Sequence, residues 1–147
     1  WGPAADERRV YVAIADALVK TDPQPGLTAL DIVTGKTLWS TPTPAVQCSW
    51  DARCGRGQPG AVTVIPGVAF SGALDGHVRA YDTETGKILW DFDTGPARET
   101  VNGPKVEGGS IDASGPTIAD GTLYVTSGYG QWGKVGRLLL AFSVDGK

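Results

Sequence analysis

One eleven-residue phrase occurs twice in this chain, and it constrains the fold more than any other feature. Ala29-Leu30-Asp31-Ile32-Val33-Thr34-Gly35-Lys36-Thr37-Leu38-Trp39 returns as Ala80-Tyr81-Asp82-Thr83-Glu84-Thr85-Gly86-Lys87-Ile88-Leu89-Trp90, identical at seven of eleven positions. A third copy starts at Ala141-Phe142-Ser143-Val144-Asp145-Gly146-Lys147, with Ser143 in place of Asp and one turn residue fewer. A long internal repeat marks stacked structural units, each of which buries its faces against its neighbours. The third copy breaks off before its Trp and the first residue is Trp1 rather than Met. The sequence is therefore expected to be a piece of a longer protein.

The text between the copies reads as short strands joined by turn signals. Val10–Ile14, Leu27–Asp31 and Thr37–Trp39 form the first set. Ala61–Ile65, Val68–Ala73, His77–Tyr81 and Lys87–Phe92 form the second, and it predicts a four-stranded antiparallel meander. Pro66-Gly67, Asp75-Gly76 and Thr85-Gly86 supply its turns, since these residue types accept turn conformations. Pro116–Ala119, Thr122–Thr126 and Leu138–Phe142 repeat the grammar, with a glycine-rich excursion at Ser127–Gly136. No window holds a capped helical period. The expectation is an all-β chain of about three four-stranded blades, in units of roughly 1–44, 45–95 and 96–147. Two long connections, Thr41–Gly60 and Thr94–Asp112, exceed what tight turns need. Long loops on compact repeats are where function concentrates.

Composition excludes several classes. A net charge of −3, with acids and bases interspersed, does not make a nucleic-acid surface. Arg8-Arg9 is the one adjacent basic pair and reads as solvated surface. No apolar run approaches the roughly 20 residues of a membrane span. Cys48 and Cys54 suit either a small disulfide loop, which requires an oxidising compartment, or two free thiols. They are too few for a zinc site, with His77 the sole histidine, and no C-x-x-C-H haem attachment is present. His77 follows the Asp75-Gly76 turn and is expected to be exposed.

In each full copy Asp and Thr flank a turn whose Gly can take a left-handed conformation. The Ala is small enough to lie under a ring, and the Trp offers a flat face and an N–H donor. The pattern Ala-x-Asp-x-x-Thr-Gly-Lys-x-x-Trp resembles the tryptophan-docking motif of the eight-bladed β-propellers of the pyrroloquinoline quinone (PQQ) type. It is carried by Ala29, Asp31, Thr34, Gly35 and Trp39, and again by Ala80, Asp82, Thr85, Gly86 and Trp90. The text Ser71-Gly72-Ala73-Leu74-Asp75-Gly76-His77, Gly108-Gly109-Ser110-Ile111-Asp112 and Leu123-Tyr124-Val125-Thr126-Ser127-Gly128-Tyr129-Gly130 resembles the polyvinyl-alcohol-dehydrogenase-like quinoproteins in particular.

That resemblance implies part of a periplasmic or secreted bacterial enzyme that oxidises secondary alcohols with PQQ and calcium and passes electrons to a c-type cytochrome. Haem would lie outside this segment. Calcium needs oxygen ligands, the alcohol a basic carboxylate, and the PQQ carboxylates cations. The resemblance places these on the loop after Trp90. Glu99 stands in the base's place, Asn102 and Asp112 are calcium-ligand candidates, and Arg98 or Lys105 pairs with the cofactor. Trp132 either stacks on PQQ or covers a blade edge. The alternative is a non-enzymatic scaffold, because the same motif builds the protein-binding outer-membrane assembly lipoprotein. The remaining blades would be the chain's nearest partners, and three blades alone are expected to bind no PQQ, to be inactive and to self-associate.

Overall fold

The computed structural model describes residues 1–16, 21–45, 48, 50 and 54–144. All of its regular structure is β. Strands β1 (Ala4–Ala5), β2 (Arg9–Ile14), β3 (Gly26–Asp31) and β4 (Thr37–Pro42) form a first sheet in chain order. Strands β5 (Thr63–Ile65), β6 (Val68–Gly72), β7 (His77–Asp82) and β8 (Ile88–Asp93) form a second. A separate hairpin pairs β9 (Arg98–Thr100) with β10 (Gly103–Val106). A third sheet runs β11 (Thr117–Ala119), β12 (Thr122–Ser127) and β13 (Leu138–Ser143). Every pairing is antiparallel. The predicted meander is therefore present, although the third sheet has three strands among the described residues. Residues 145–147, the end of the third copy, lie outside them.

The repeated phrase builds the β3–β4 and β7–β8 turns. Asp31 Oδ1 accepts from the Val33 amide at 3.1 Å, the Thr34 amide at 2.7 Å and the Thr34 hydroxyl at 2.7 Å. Asp82 does the same with the Glu84 amide and with the Thr85 amide and hydroxyl, at 3.0, 2.8 and 2.8 Å. Bonds from the Thr hydroxyl, then the Thr amide, hold both carboxyls below their ordinary pKa of 3.8. Ala29 and Ala80 face their own Trp across the strand pair, each beside a register shift.

Stacking follows from one contact of unlike partners. The Trp39 indole lies on Gly86 (φ +72°), where a Cβ would stand 2.5 Å from the ring. Its N–H donates to the Thr83 carbonyl at 3.0 Å, and the Thr41 hydroxyl donates to Gly86 O at 2.7 Å. Behind this contact Tyr11, Leu27 and Ala29 of the first sheet pack on Ala69 and Tyr81 of the second. Between the second and third sheets, Val78, Phe70, Trp90 and Phe92 meet Leu123, Val125, Leu140 and Phe142. Fully burying a large apolar side chain stabilises by roughly 1.5–3 kcal/mol, which is what holds one sheet on the next.

Four details depart from the sequence expectations. The first sheet gains β1, too short to show a strand pattern. The connection Thr94–Asp112 contains the β9–β10 hairpin. Arg9 is buried rather than solvated, because it pairs with Glu84 at 2.5 Å and Asp6 at 3.6 Å between the first two sheets. His77 is likewise withdrawn, its side chain 17% exposed, because Nδ1 sits 2.5 Å from Asp91 across β7 and β8.

Candidate functional site

A meander puts alternate connections at opposite ends. The docking turns share one end. At the other, register joins Ile14 to Gly26, Gly72 to Val78 and Ser127 to Leu138. The three loops following β2, β6 and β12 therefore converge there, together with the long connections that leave β4 and β8. The loops after β2, β6 and β12 and the connection after β4 line a cleft of about 350 Å³, with Asp16, Gly55, Arg56, Gly57, Leu74 and Trp132 among its residues. Its wall is laced by backbone: Gln58 N donates to Ile14 O at 3.2 Å and Leu74 N to Gly57 O at 2.8 Å. A larger apolar gap of about 430 Å³, lined by Ile65, Trp90 and Phe142, lies between the sheets and has no titratable group in its lining. The polar cleft is the better candidate because it is where loops from all three sheets meet.

The supports of this end are buried polar groups. Asp75 and Arg79 are both inaccessible and bond at 2.7 Å. Burial opposes the Arg79 charge, but the Asp75 hydrogen bond and the charges of Asp75 and Asp91 raise its pKa overall. Asp75 also accepts from the His77 amide at 2.9 Å, fixing the β6–β7 turn. That turn has three residues rather than two, closed by Ala73 N to His77 O at 3.0 Å, with Gly76 alone at positive φ. Gln58 is fully buried and donates to Thr43 and Tyr81 hydroxyls, both at 2.9 Å, while Ser71 donates to its oxygen at 2.8 Å. Burial pushes the Tyr81 hydroxyl up to about 12. Thr94 and Ser127 repeat this device one sheet later, 2.6 Å apart.

Cys48 and Cys54 are joined as a disulfide, with Cα atoms 5.8 Å apart. Trp50, between them in sequence, packs onto Gly76 and Gly95, where a Cβ would collide with its ring. Lys134 Nζ lies 5.0 Å from its centroid and pairs with Glu107 at 2.9 Å.

The candidates named from sequence do not gather at one point. Trp132, 56% exposed, lines the cleft. Asp112 is 3% exposed, and its Oδ2 accepts from the Gln131 and Trp132 amides at 2.8 and 3.2 Å. Its Oδ1 is buried without a partner. Arg98 turns back onto its own base, donating to Asp93 O at 2.7 Å and lying 4.6 Å over the Phe92 ring. Glu99, Asn102 and Lys105 are exposed on the hairpin, outside the cleft lining. No motif marks Asp16, Arg56, Trp50 or Lys134. Asp16 and Arg56 share the cleft lining, and Lys134 separately lies over Trp50, only because distant loops converge.

A family model described as "Outer membrane protein assembly factor BamB" (PQQ_2) matches residues 1–107 and 74–145. The chain belongs to this family. Among curated relatives, a polyvinylalcohol dehydrogenase of Pseudomonas sp is 44% identical over 100% of the chain, and one of Sphingopyxis sp. (strain 113P3) is 45% identical over 100%. The chain spans 25% of the length of each. Two solved structures share the fold. BamB from Moraxella catarrhalis gives a TM-score of 0.60 at 22% identity, covering 99% of this chain and 34% of that one. Quinohemoprotein alcohol dehydrogenase from Comamonas testosteroni gives 0.60 at 22%, covering 99% and 19%. The fold is thus that of part of a PQQ-type β-propeller.

PQQ and calcium can be tested against the residues present. One indole face and one guanidinium in the cleft suit a flat polyanion, but Asp16 opposes it there. For calcium, no group of three or more His, Cys, Asp or Glu side chains is close enough to share an ion among the described residues. Asp112 Oδ1 is a single free oxygen, and Asn102 is on the hairpin. The described residues do not by themselves build a seat for either group, and no chemical step is derived through them.

Proposed function

We propose that this chain forms three successive blades, over units of roughly 1–44, 45–95 and 96–147, of a larger quinoprotein alcohol dehydrogenase. That enzyme oxidises secondary alcohols and passes electrons to a c-type cytochrome. The observation that carries the reading is 44–45% identity, along the whole chain, to proteins described as polyvinylalcohol dehydrogenases. PQQ, when bound, supplies a two-electron acceptor, and calcium its polarising charge. On this reading both are held mainly by parts of the enzyme beyond the described residues, and the three blades contribute the wall of its loop end. A bacterial periplasmic or secreted location accords with the Cys48–Cys54 disulfide.

The scaffold reading is supported by the family description and by the BamB structure at the same TM-score. The higher identity to the dehydrogenases favours the enzyme. Titrating the full-length protein with PQQ and calcium separates the two. The expected result is a new visible absorbance and dye-coupled oxidation of a secondary alcohol. No spectral change and no oxidation would leave the scaffold.

A further inference from the structure

The β9–β10 hairpin is an arm that leaves the second sheet and returns to the point it left. At its base, a Cβ on Gly108 would run into the Thr94 carbonyl. Thr94 N donates to Gly76 O at 3.0 Å, Gly109 N to Ser127 Oγ at 2.8 Å and Arg137 N to Glu107 O at 3.0 Å. Arg98, held by Asp93 O and the Phe92 ring, fixes the stem. Beyond it Glu99, Val101, Asn102, Pro104 and Lys105 are exposed, with Val101 fully so (106%). The arm stands at the same end as the cleft, because β8 delivers it opposite His77. Its base is fixed on both sides, while no described core residue comes from its tip.

We propose that this arm is a recognition element for a polymeric alcohol, gripping chain beyond the carbinol that reacts. The inference rests on the dehydrogenase reading above. A hydroxylated hydrocarbon chain presents alternating methylene and hydroxyl groups. The arm offers a matching mixture: the Val101 isopropyl group for methylenes, and the Asn102 amide, Glu99 carboxylate and Lys105 ammonium for hydroxyls. Contacts remote from the reacting carbon change the rate on long substrates and leave short ones, which cannot reach them, untouched.

The test uses the full-length, PQQ-loaded protein and two substrates, polyvinyl alcohol and a small secondary alcohol such as 2-butanol. In one variant Val101→Asp and Pro104→Asp together remove the exposed apolar groups of the tip and leave Arg98, Glu99, Asn102 and Lys105 in place; in the other, Val101→Asp alone alters one fully exposed side chain and leaves the core intact. The doubly substituted protein is expected to lose about tenfold in kcat/KM on the polymer and to stay within about twofold on 2-butanol. Val101→Asp is expected to move the polymer value in the same direction by a smaller factor. Equal losses on both substrates, or no loss on the polymer in either variant, would overturn the arm's role. If the unaltered protein oxidises neither alcohol, the dehydrogenase reading fails instead, so the two failures are distinct.

Discussion

Trp39 reaches out of the first sheet to donate its indole N–H to the Thr83 carbonyl of the second, 3.0 Å away. The bond spans 44 residues of sequence and ties one repeat to the docking turn of the next. Trp39→Phe keeps a ring and loses the donor, and is expected to cost about 1 kcal/mol. Trp39→Ala also removes the plate over Gly86 and is expected to cost about 3 kcal/mol. Urea unfolding of both variants checks this: an unchanged midpoint in Trp39→Phe would show that the N–H contributes nothing, and equal losses in the two would show that the plate contributes nothing.

Gly35 and Gly86 occupy the same turn position with nearly the same backbone, at φ +68° and +72°. Their surroundings differ. A Cβ at Gly35 meets nothing within 4 Å, whereas one at Gly86 meets the Trp39 ring. Gly35→Ala is expected to cost about 1–2 kcal/mol for the left-handed backbone alone. Gly86→Ala adds steric displacement of the indole, a further 1–3 kcal/mol or so. A comparison of urea midpoints decides it, and identical midpoints would mean that Trp39 does not rest on Gly86.

How legible this was in the sequence depends on the range of the interaction. The docking turns were readable because Asp, Thr and Gly act on amides two to four residues away. The strands were readable because valine, tyrosine and turn glycines act locally too. Arg9 and His77 were misjudged because their partners, Glu84 and Asp91, lie on another sheet and another strand. The arm was hidden since Arg98–Val106 contains Pro104 and Gly103 and no alternation. The cleft had no local signature at all, as Asp16, Arg56 and Trp132 meet only when three loops converge.

Acid should loosen the docking turns. Asp31 and Asp82 have folded pKa values below 3.8, chiefly through the Thr34 and Thr85 hydroxyls. A depressed carboxylate contributes stability that is complete above its unfolded pKa and is lost as pH falls through the folded one. The Asp31→Asn, Asp82→Asn double variant is therefore expected to show a shallower fall in stability below about pH 4 than the unaltered chain. Thermal melts across that window measure it, and parallel curves would contradict the assignment.

Base should act through Tyr81. Its pKa is pushed up to about 12, first by burial. The unfolded tyrosine loses its proton near 10 while the folded one keeps it, so stability declines between about pH 10 and 12. Tyr81→Phe removes that titration, and its stability should fall less steeply there. It also takes an acceptor from Gln58, whose bond to Thr43 persists, so a cost of about 1 kcal/mol at neutral pH is expected. Tyr11, also raised to about 12, keeps a smaller alkaline decline in the variant.

Asp112 controls the presentation of Trp132 to the cleft. Oδ2 takes both the Gln131 and Trp132 amides, and Gly130 approaches so closely that a Cβ would strike the Asp112 side chain. Removing the carboxylate by Asp112→Ala frees both amides, and hydrogen exchange at residues 131 and 132 should accelerate by about tenfold or more, as when a bond of about 1.4 kcal/mol is lost. Asp112→Asn retains one carbonyl oxygen for the same amides and should restore most of the protection. Asp112 Oδ1 is buried without a partner, so calcium is a further probe of it. Protection that rises with calcium in the unaltered protein and not in Asp112→Asn would make Oδ1 a ligand; protection that ignores calcium in both would leave Asp112 as the anchor of the two amides alone.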